Sequence, residues 1–168
     1  MKYFKSYFLI VALCVSILIL PYSSFGFQNE PDSFRGIKWG THINTLSDTD
    51  SVDREDEPFA IYKKKNDTMK IRDAEIEEIT YHFYKGRLFG VGISFMGFTN
   101  FDHLKSTFFQ LYGKAHRLNR IMEEYYWFGA KLTIMFKYSD TNKKGEILYS
   151  YQPIREELIK DKKEAADL

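Results

Sequence analysis

Four histidines, His42, His82, His103 and His116, are the side chains best suited by type to proton transfer or metal binding near neutral pH. Their spacing offers no site. No two stand at the His-x3-His interval that places both imidazoles on one helical face, and none neighbours a second ligand in sequence. His82 alternates outward on a predicted strand and His103 falls in the first turn of a predicted helix. Surface or capping use is the expectation for all four.

The carboxylates read the same way. Asp48, Asp50, Asp53, Glu55, Asp56 and Glu57 present hard oxygens of the kind that suit Ca²⁺. The EF-hand order fails, because Val52 stands where an Asp or Asn belongs and no glycine follows. A solvated loop over 47–58, closed by Pro58, is expected. Glu123 and Glu124 precede a strand and point to opposite faces, so they do not form a hydrolase pair by themselves. No Gly-x-Ser-x-Gly elbow and no phosphate-cradling glycine loop occurs. Gly90 and Gly92 lie on a strand's outward face, where close packing or twist is their expected use. Lys63-Lys64-Lys65 reads as a solvated strand end, and Asn66-Asp67-Thr68 as an isolated glycosylation sequon. No catalytic, cofactor-binding or metal-binding residue is assigned, no cofactor is implied, and the reading leans away from an enzyme.

An apolar surface stands out instead. Tyr126, Phe128 and Met135 fall on the side of their strands opposite the predicted core, and Phe109 lies off the apolar stripe of its helix. Exposed apolar patches on soluble proteins often mark interaction sites. These four residues are the candidate interaction surface.

The elements that must position them follow from periodicity. Ile37 and Trp39 suggest a short strand, ended by Gly40, with Thr41 capping a helical turn through Leu46. Phe59–Lys64 predicts a strand. Ile79, Tyr81 and Phe83, then Phe89, Val91, Ile93 and Phe95, alternate with small or polar residues, the two-residue period of half-buried strands. A three-residue loop, Tyr84-Lys85-Gly86, would put both apolar sets on one face, pairing Tyr81 with Phe89 and Ile79 with Val91. Asn100–Tyr112 predicts a helix capped by Asn100, with Asp102 in the first turn, an apolar stripe at Phe101, Leu104, Phe108, Leu111 and Tyr112, and Gly113 as its stop. A second hairpin turns at Gly129-Ala130 and pairs Trp127 with Leu132 and Tyr125 with Ile134. Ile147–Tyr151 predicts a last strand, and residues 153–168 a charged helix or tail started by Pro153. Two hairpins around one helix, without βαβ alternation, predict an α+β fold. Its antiparallel sheet would have about five to six strands, made of the two hairpins and flanking strands. One main amphipathic helix would pack on one face.

The first 26 residues read as a secretory signal peptide. Lys2 and Lys5 form a positive start, Phe8–Leu20 an apolar run of thirteen residues, and Ser24 and Gly26 the small residues before a cut at Phe27. A helix of that length rises only about 20 Å, short for a bilayer span, which favours cleavage over the alternative of an uncleaved membrane anchor. Cys14, the one cysteine, follows Leu13 inside the apolar run, so it is not a lipoprotein site. The remainder, read as a single domain over 27–152 with the charged segment after it, is cysteine-free and so has no disulfide. The chain carries 24 lysines and arginines against 23 aspartates and glutamates. Removing Lys2 and Lys5 leaves one excess negative charge, and no global field favours nucleic acid. Aromatic residues make up 17% of the chain, ample for a large core without staples.

The motifs FRGIKWGT (34–41), YHFYKGRLFGVGISFMGF (81–98), LYGKA (111–115) and EEYYWFG (123–129) resemble uncharacterised small exported proteins of Gram-negative bacteria. The likeness spans roughly residues 34–152. It implies an exported protein, periplasmic or secreted, and attaches no reaction. The expected function is non-catalytic binding of an envelope protein partner, with no stable membrane span after signal cleavage. The alternative is a small-molecule or lipid binder with an aromatic-lined cleft between sheet and helix. A hydrolase, needing His82 or His103 to meet a carboxylate in a pocket, is the third reading.

Overall fold

In the computed structural model, residues 27–47, 49–53 and 58–167 are described. The signal-peptide reading of 1–26, and Asp48, Glu55, Asp56 and Glu57 of the acidic stretch, fall outside them. The runs of alternating apolar and polar residues form strands, because an extended chain turns successive side chains to opposite faces. In chain order the strands are Ser33–Phe34 (β1), Ile37–Lys38 (β2), Thr49–Asp53 (β3), Phe59–Lys64 (β4), Lys70–Ile71 (β5), Ala74–Glu75 (β6), Glu78–Tyr84 (β7), Arg87–Met96 (β8), Glu123–Phe128 (β9), Leu132–Ser139 (β10) and Lys144–Tyr151 (β11). Among the described residues the helices are Phe98–Tyr112 (α1) and Gln152–Ala166 (α2), with a 3₁₀ turn at Ile43–Thr45.

Seven strands make one sheet in the order β3-β4-β7-β8-β11-β10-β9, and every neighbouring pair is antiparallel. The α+β class is the one the periodicity predicts. The sheet reaches seven strands because Thr49–Asp53, expected in a loop, pairs with β4 as an edge strand. Two meanders meet at β8 and β11, and α1 carries the chain from the sheet's centre to its far edge at β9. Beneath α1 lies the main core. Phe101 stacks on Tyr138 with ring centroids 4.5 Å apart, and Phe108 sits between Tyr112, Trp127 and Phe136. Each such ring removes roughly 150–250 Å² from water.

α1 begins two residues earlier than expected, at Phe98. Gly97 stands at its N-cap with no side-chain cap bond, and Asp102 therefore falls beyond the first turn. Asn100 works sideways instead. Its Oδ1 accepts from the Glu75 N–H at 2.9 Å and its Nδ2 donates to the Met96 carbonyl at 2.8 Å. Gly113 stops the helix as expected, with φ +77° and its N–H donating to the Phe109 carbonyl. His42, not Thr41, caps the 3₁₀ turn, its Nδ1 accepting from the Asn44 N–H.

Both hairpin registers differ from expectation. The β7–β8 loop has two residues, Lys85 and Gly86, both at positive φ, the geometry of a type I′ turn. Such a loop would set odd residues beside even ones. A bulge at Phe89 corrects this. Phe83 pairs with Leu88, but His82 pairs with Gly90, Tyr81 with Val91 and Ile79 with Ile93. Phe89 is thereby turned to the opposite side, where it forms a small second core with Tyr84 and Ile154 of α2. In the β9–β10 hairpin the reversal centres on Ala130-Lys131, so Trp127 pairs with Ile134 and Tyr125 with Phe136. The slip is two residues, which keeps every side chain on its predicted face. The reversal is held by Glu30, whose carboxylate accepts from the N–H groups of Ala130, Lys131 and Leu132 at 2.9, 2.7 and 2.6 Å.

Candidate interaction surface

The face opposite α1 is built in rows across five strands. The first row runs Tyr126, Met135, Leu148, Gly92, Thr80, and the second Phe128, Thr133, Ser150, Gly90, His82. A third, Glu124, Lys137, Glu146, Ser94 and Glu78, is polar and ionised. α2 starts at the end of the second row, where Gln152 Nε2 donates to Thr133 Oγ1 at 2.7 Å. The helix then covers the side near Tyr84 and Phe89. It leaves the first row and Phe128 open.

Large side chains on β9, β10 and β11 stand next to glycines on β8, so the surface falls away toward the sheet's centre. One depression of about 400 Å³ is lined by Tyr126, Phe128, Thr133, Met135, Leu148, Ser150, Gln152 and Arg155. A second, of about 240 Å³, continues it past Met135 and Leu148 to Thr80, His82, Gly92 and the carboxylates Glu78 and Glu146. Together they form one shallow groove. Phe128 is 47% exposed, and its ring stacks on Tyr126 at 5.6 Å, nearly parallel. Tyr126 is fixed further by its hydroxyl, which donates to Glu124. That bond holds the phenol above its usual pKa, with burial acting in the same direction.

Tyr126, Phe128 and Met135 therefore come together as predicted from parity. Phe109 does not join them. It lies on α1, on the other side of the sheet, edge-on to Tyr125 and Trp127 with centroids 5.5 Å away. Leu148 and Gln152 belong to the groove and escaped the sequence reading, while Gly92, expected on an outward face, lines it beside them. The parity of β11 was the available signal for Leu148, whereas its pairing with β8 crosses 56 residues and leaves no local mark.

The histidines are dispersed. His82 is part-buried, its ring 3.0 Å from Thr80 Oγ1 and edge-on to Phe59. Burial lowers its pKa. A Cβ on Gly92 would lie 2.7 Å from Thr80 Oγ1 and 3.3 Å from His82 Nε2, so this glycine makes room for both side chains. His103 faces the Asp73 carbonyl, and His116 pairs by backbone with Tyr126 at the sheet edge. Among the described residues no three of His, Cys, Asp and Glu gather to hold a metal ion. The Asp67 carboxylate is occupied by Arg35 and by the Tyr81 hydroxyl, an internal tie rather than a site. No described helix is long and apolar enough to cross a membrane.

Compared with known proteins, the chain matches no family model, no curated protein and no solved structure.

Proposed function

We propose that the protein is a non-catalytic exported protein, periplasmic or secreted, that binds an envelope protein partner through the open face of its sheet. One observation carries this reading. Tyr126, Met135 and Leu148 stand in one row beside the exposed Phe128, on the part of the face that α2 leaves open. Interfaces concentrate their energy in a few aromatic and large apolar anchors beside a depression, ringed by polar groups. Gln152, Arg155 and the ionised third row supply such a ring. The likeness of its motifs to small exported proteins supports the compartment.

A photo-crosslinking amino acid placed at Phe128 in intact cells tests it, with Gln110 on the far side of α1 as control. The expected result is one dominant envelope protein captured from position 128 and not from 110. Adding Met135→Glu should reduce that capture about tenfold. Recovery of the chain alone, or equal capture from both positions, would overturn the proposal.

A second reading, a small-molecule binder, keeps one observation in its favour. The space between sheet and α1 is filled by Phe101, Leu104, Phe108, Trp127 and Phe136. A separate cleft of about 320 Å³, however, lies between Trp39, Tyr151, Lys38 and Lys131. A metabolite screen with Trp39→Ala as control addresses it.

A further inference from the structure

The cleft of about 320 Å³ beside Trp39 forms where three parts of the chain meet: the segment leading through β2, the β9–β10 reversal and the end of β11. Each part is fixed by bonds of its own. Trp39 Nε1 donates to the Pro31 carbonyl at 2.8 Å, and the Trp39 N–H to that of Asp32 at 3.3 Å. The Glu30 carboxylate holds the reversal, and the Gln152 N–H donates to the Lys131 carbonyl at 2.7 Å. The cleft is therefore preformed. Its volume lies at the low end of the roughly 300–1,000 Å³ that small-ligand sites span.

Its lining divides into an aromatic wall and a polar rim. The wall is Trp39 with Tyr151, both half-buried, their rings within 12° of parallel and their centroids 6.3 Å apart. Atoms in direct contact lie about 3.5–4 Å apart, so part of each ring face is left free of the other. The rim is Lys38, Lys131 and Asp32, all exposed. Neither ammonium has a hydrogen-bond or ion-pair partner among the described residues. Asp32 accepts from the Ser33 hydroxyl through Oδ1, and its Oδ2 has no partner among the described residues. Glu30 adds a second negative charge, with both oxygens already used. Free donors and a free acceptor thus surround an aromatic wall, and the charges of the lining balance.

We propose that this cleft is a saccharide-binding site, with a pyranose ring laid against the Trp39–Tyr151 wall. This rests on the small-molecule reading of the cleft and is independent of the partner-binding face. The match is chemical. A pyranose has an apolar face of C–H bonds, and their positive ends are attracted to the negative face of an aromatic ring. Around its rim it carries hydroxyls that each donate and accept. Two ammonium donors and a carboxylate acceptor can meet such a rim together. A phosphate or carboxylate ligand would face the charges of Asp32 and Glu30 as well as the lysines. A flat aromatic ligand would leave the rim unused.

The test reads Trp39 directly. The chain has two tryptophans, and Trp127 is 1% exposed in the core. Tryptophan emission of the full chain is titrated with cellobiose, maltose, lactose, chitobiose and glucuronic acid. Inorganic phosphate, adenosine monophosphate and indole are the non-sugar comparisons. At least one sugar should shift the emission saturably, with saturation-transfer NMR signals strongest at its ring C–H protons. Lys38→Ala with Lys131→Ala should weaken that binding about tenfold. The denaturation midpoint should stay where it is, since both side chains are exposed and unpaired. Trp39→Phe should keep the NMR-detected binding that Trp39→Ala loses. If only the non-sugar compounds bound, the saccharide assignment would fall and the small-molecule reading would stand. If nothing bound, both would fall. Sugar binding that survives Trp39→Ala and the double lysine variant unchanged would place the sugar elsewhere and overturn the proposal.

Discussion

His82 shows how one side chain ties this fold to pH. Its ring is part-buried against Phe59, Phe89 and Thr80, in a groove that also holds Glu78 and Glu146. Burial disfavours the charged imidazolium and lowers its pKa below the ordinary value of 6.5. The unfolded chain takes up a proton near that ordinary value, and the folded chain only at lower pH. Between the two, the unfolded state binds more protons, so stability rises with pH. The contribution is complete above about 6.5 and is lost as pH falls toward the lowered value. The denaturation midpoint of the protein should therefore drop between pH 7.5 and pH 5. His82→Gln should remove much of that drop while other titrations persist. Urea titrations of both proteins across this range give the measurement, and identical slopes would show that His82 pays no desolvation cost in the fold.

At the scale of elements, α2 is held by a charged latch as well as by a small core. Ile154 and Leu158 pack on Tyr84 and Phe89. Beyond them, Arg87 donates to Glu157 at 2.6 Å, and Lys85 reaches Glu157 at 3.0 Å and Asp161 at 2.6 Å, while the Tyr84 hydroxyl also donates to Asp161. Arg87 and then Lys85 hold Glu157 below the usual carboxylate range, and Lys85 and then Tyr84 do so for Asp161. Depressed carboxylates stabilise above their ordinary pKa, and the effect disappears as pH falls through the depressed values. Glu157→Gln with Asp161→Asn should speed amide exchange in 152–166 and leave β10 and β11 unchanged. In the unaltered protein the same loosening should set in only under acid or high salt, since exposed pairs are screened. Exchange in 152–166 that ignores salt, acid and both substitutions would show that Ile154 and Leu158 hold the helix alone.

The same elements show what was legible in the sequence. Alternation named the long strands but not the edge strand β3, and the stripe of α1 named its buried face at Phe101, Leu104, Phe108 and Tyr112, while Leu111 is exposed. Both signals are local patterns. The β7–β8 register was not legible. Parity alone favoured a three-residue loop, and the fold instead combines a two-residue turn with a bulge at Phe89. What makes that bulge favourable is α2, whose Ile154 lies 65 residues away and receives the displaced ring. The candidate surface was legible for Tyr126, Phe128 and Met135, whose faces follow from strand parity. It was misread for Phe109, since a residue off a helical stripe can still reach the edge of a wide sheet, as it does at Tyr125 and Trp127.

Across the whole molecule, the two meanders are sewn together by the segment before β3. Phe27 packs on Tyr112, and the Gln28 N–H donates to the Tyr112 carbonyl at the end of α1. Phe34 meets Tyr81 of one meander and Tyr149 of the other. The Gly40 N–H donates to the Leu88 carbonyl and the Ile43 N–H to that of Gly86. Glu30 is the stitch at the far end, its carboxylate shared among three consecutive N–H groups of the β9–β10 reversal. Gly129 permits it, because a Cβ there would lie 2.5 Å from the Glu30 carboxyl carbon. Hydrogen bonds to a charged group contribute roughly 1.5–3 kcal/mol each way of counting, and the donors left behind would be partly shielded from water. Glu30→Ala should therefore lower global stability by about 2–3 kcal/mol, with Glu30→Gln intermediate because it keeps the shape and one acceptor. If the segment joins both halves, the loss appears as one cooperative shift, with exchange in β7 and β10 quickening together. Faster exchange confined to residues 129–133, with an unmoved denaturation midpoint, would mean that the hairpin tip is closed locally and that the meanders hold each other through β8 and β11 alone.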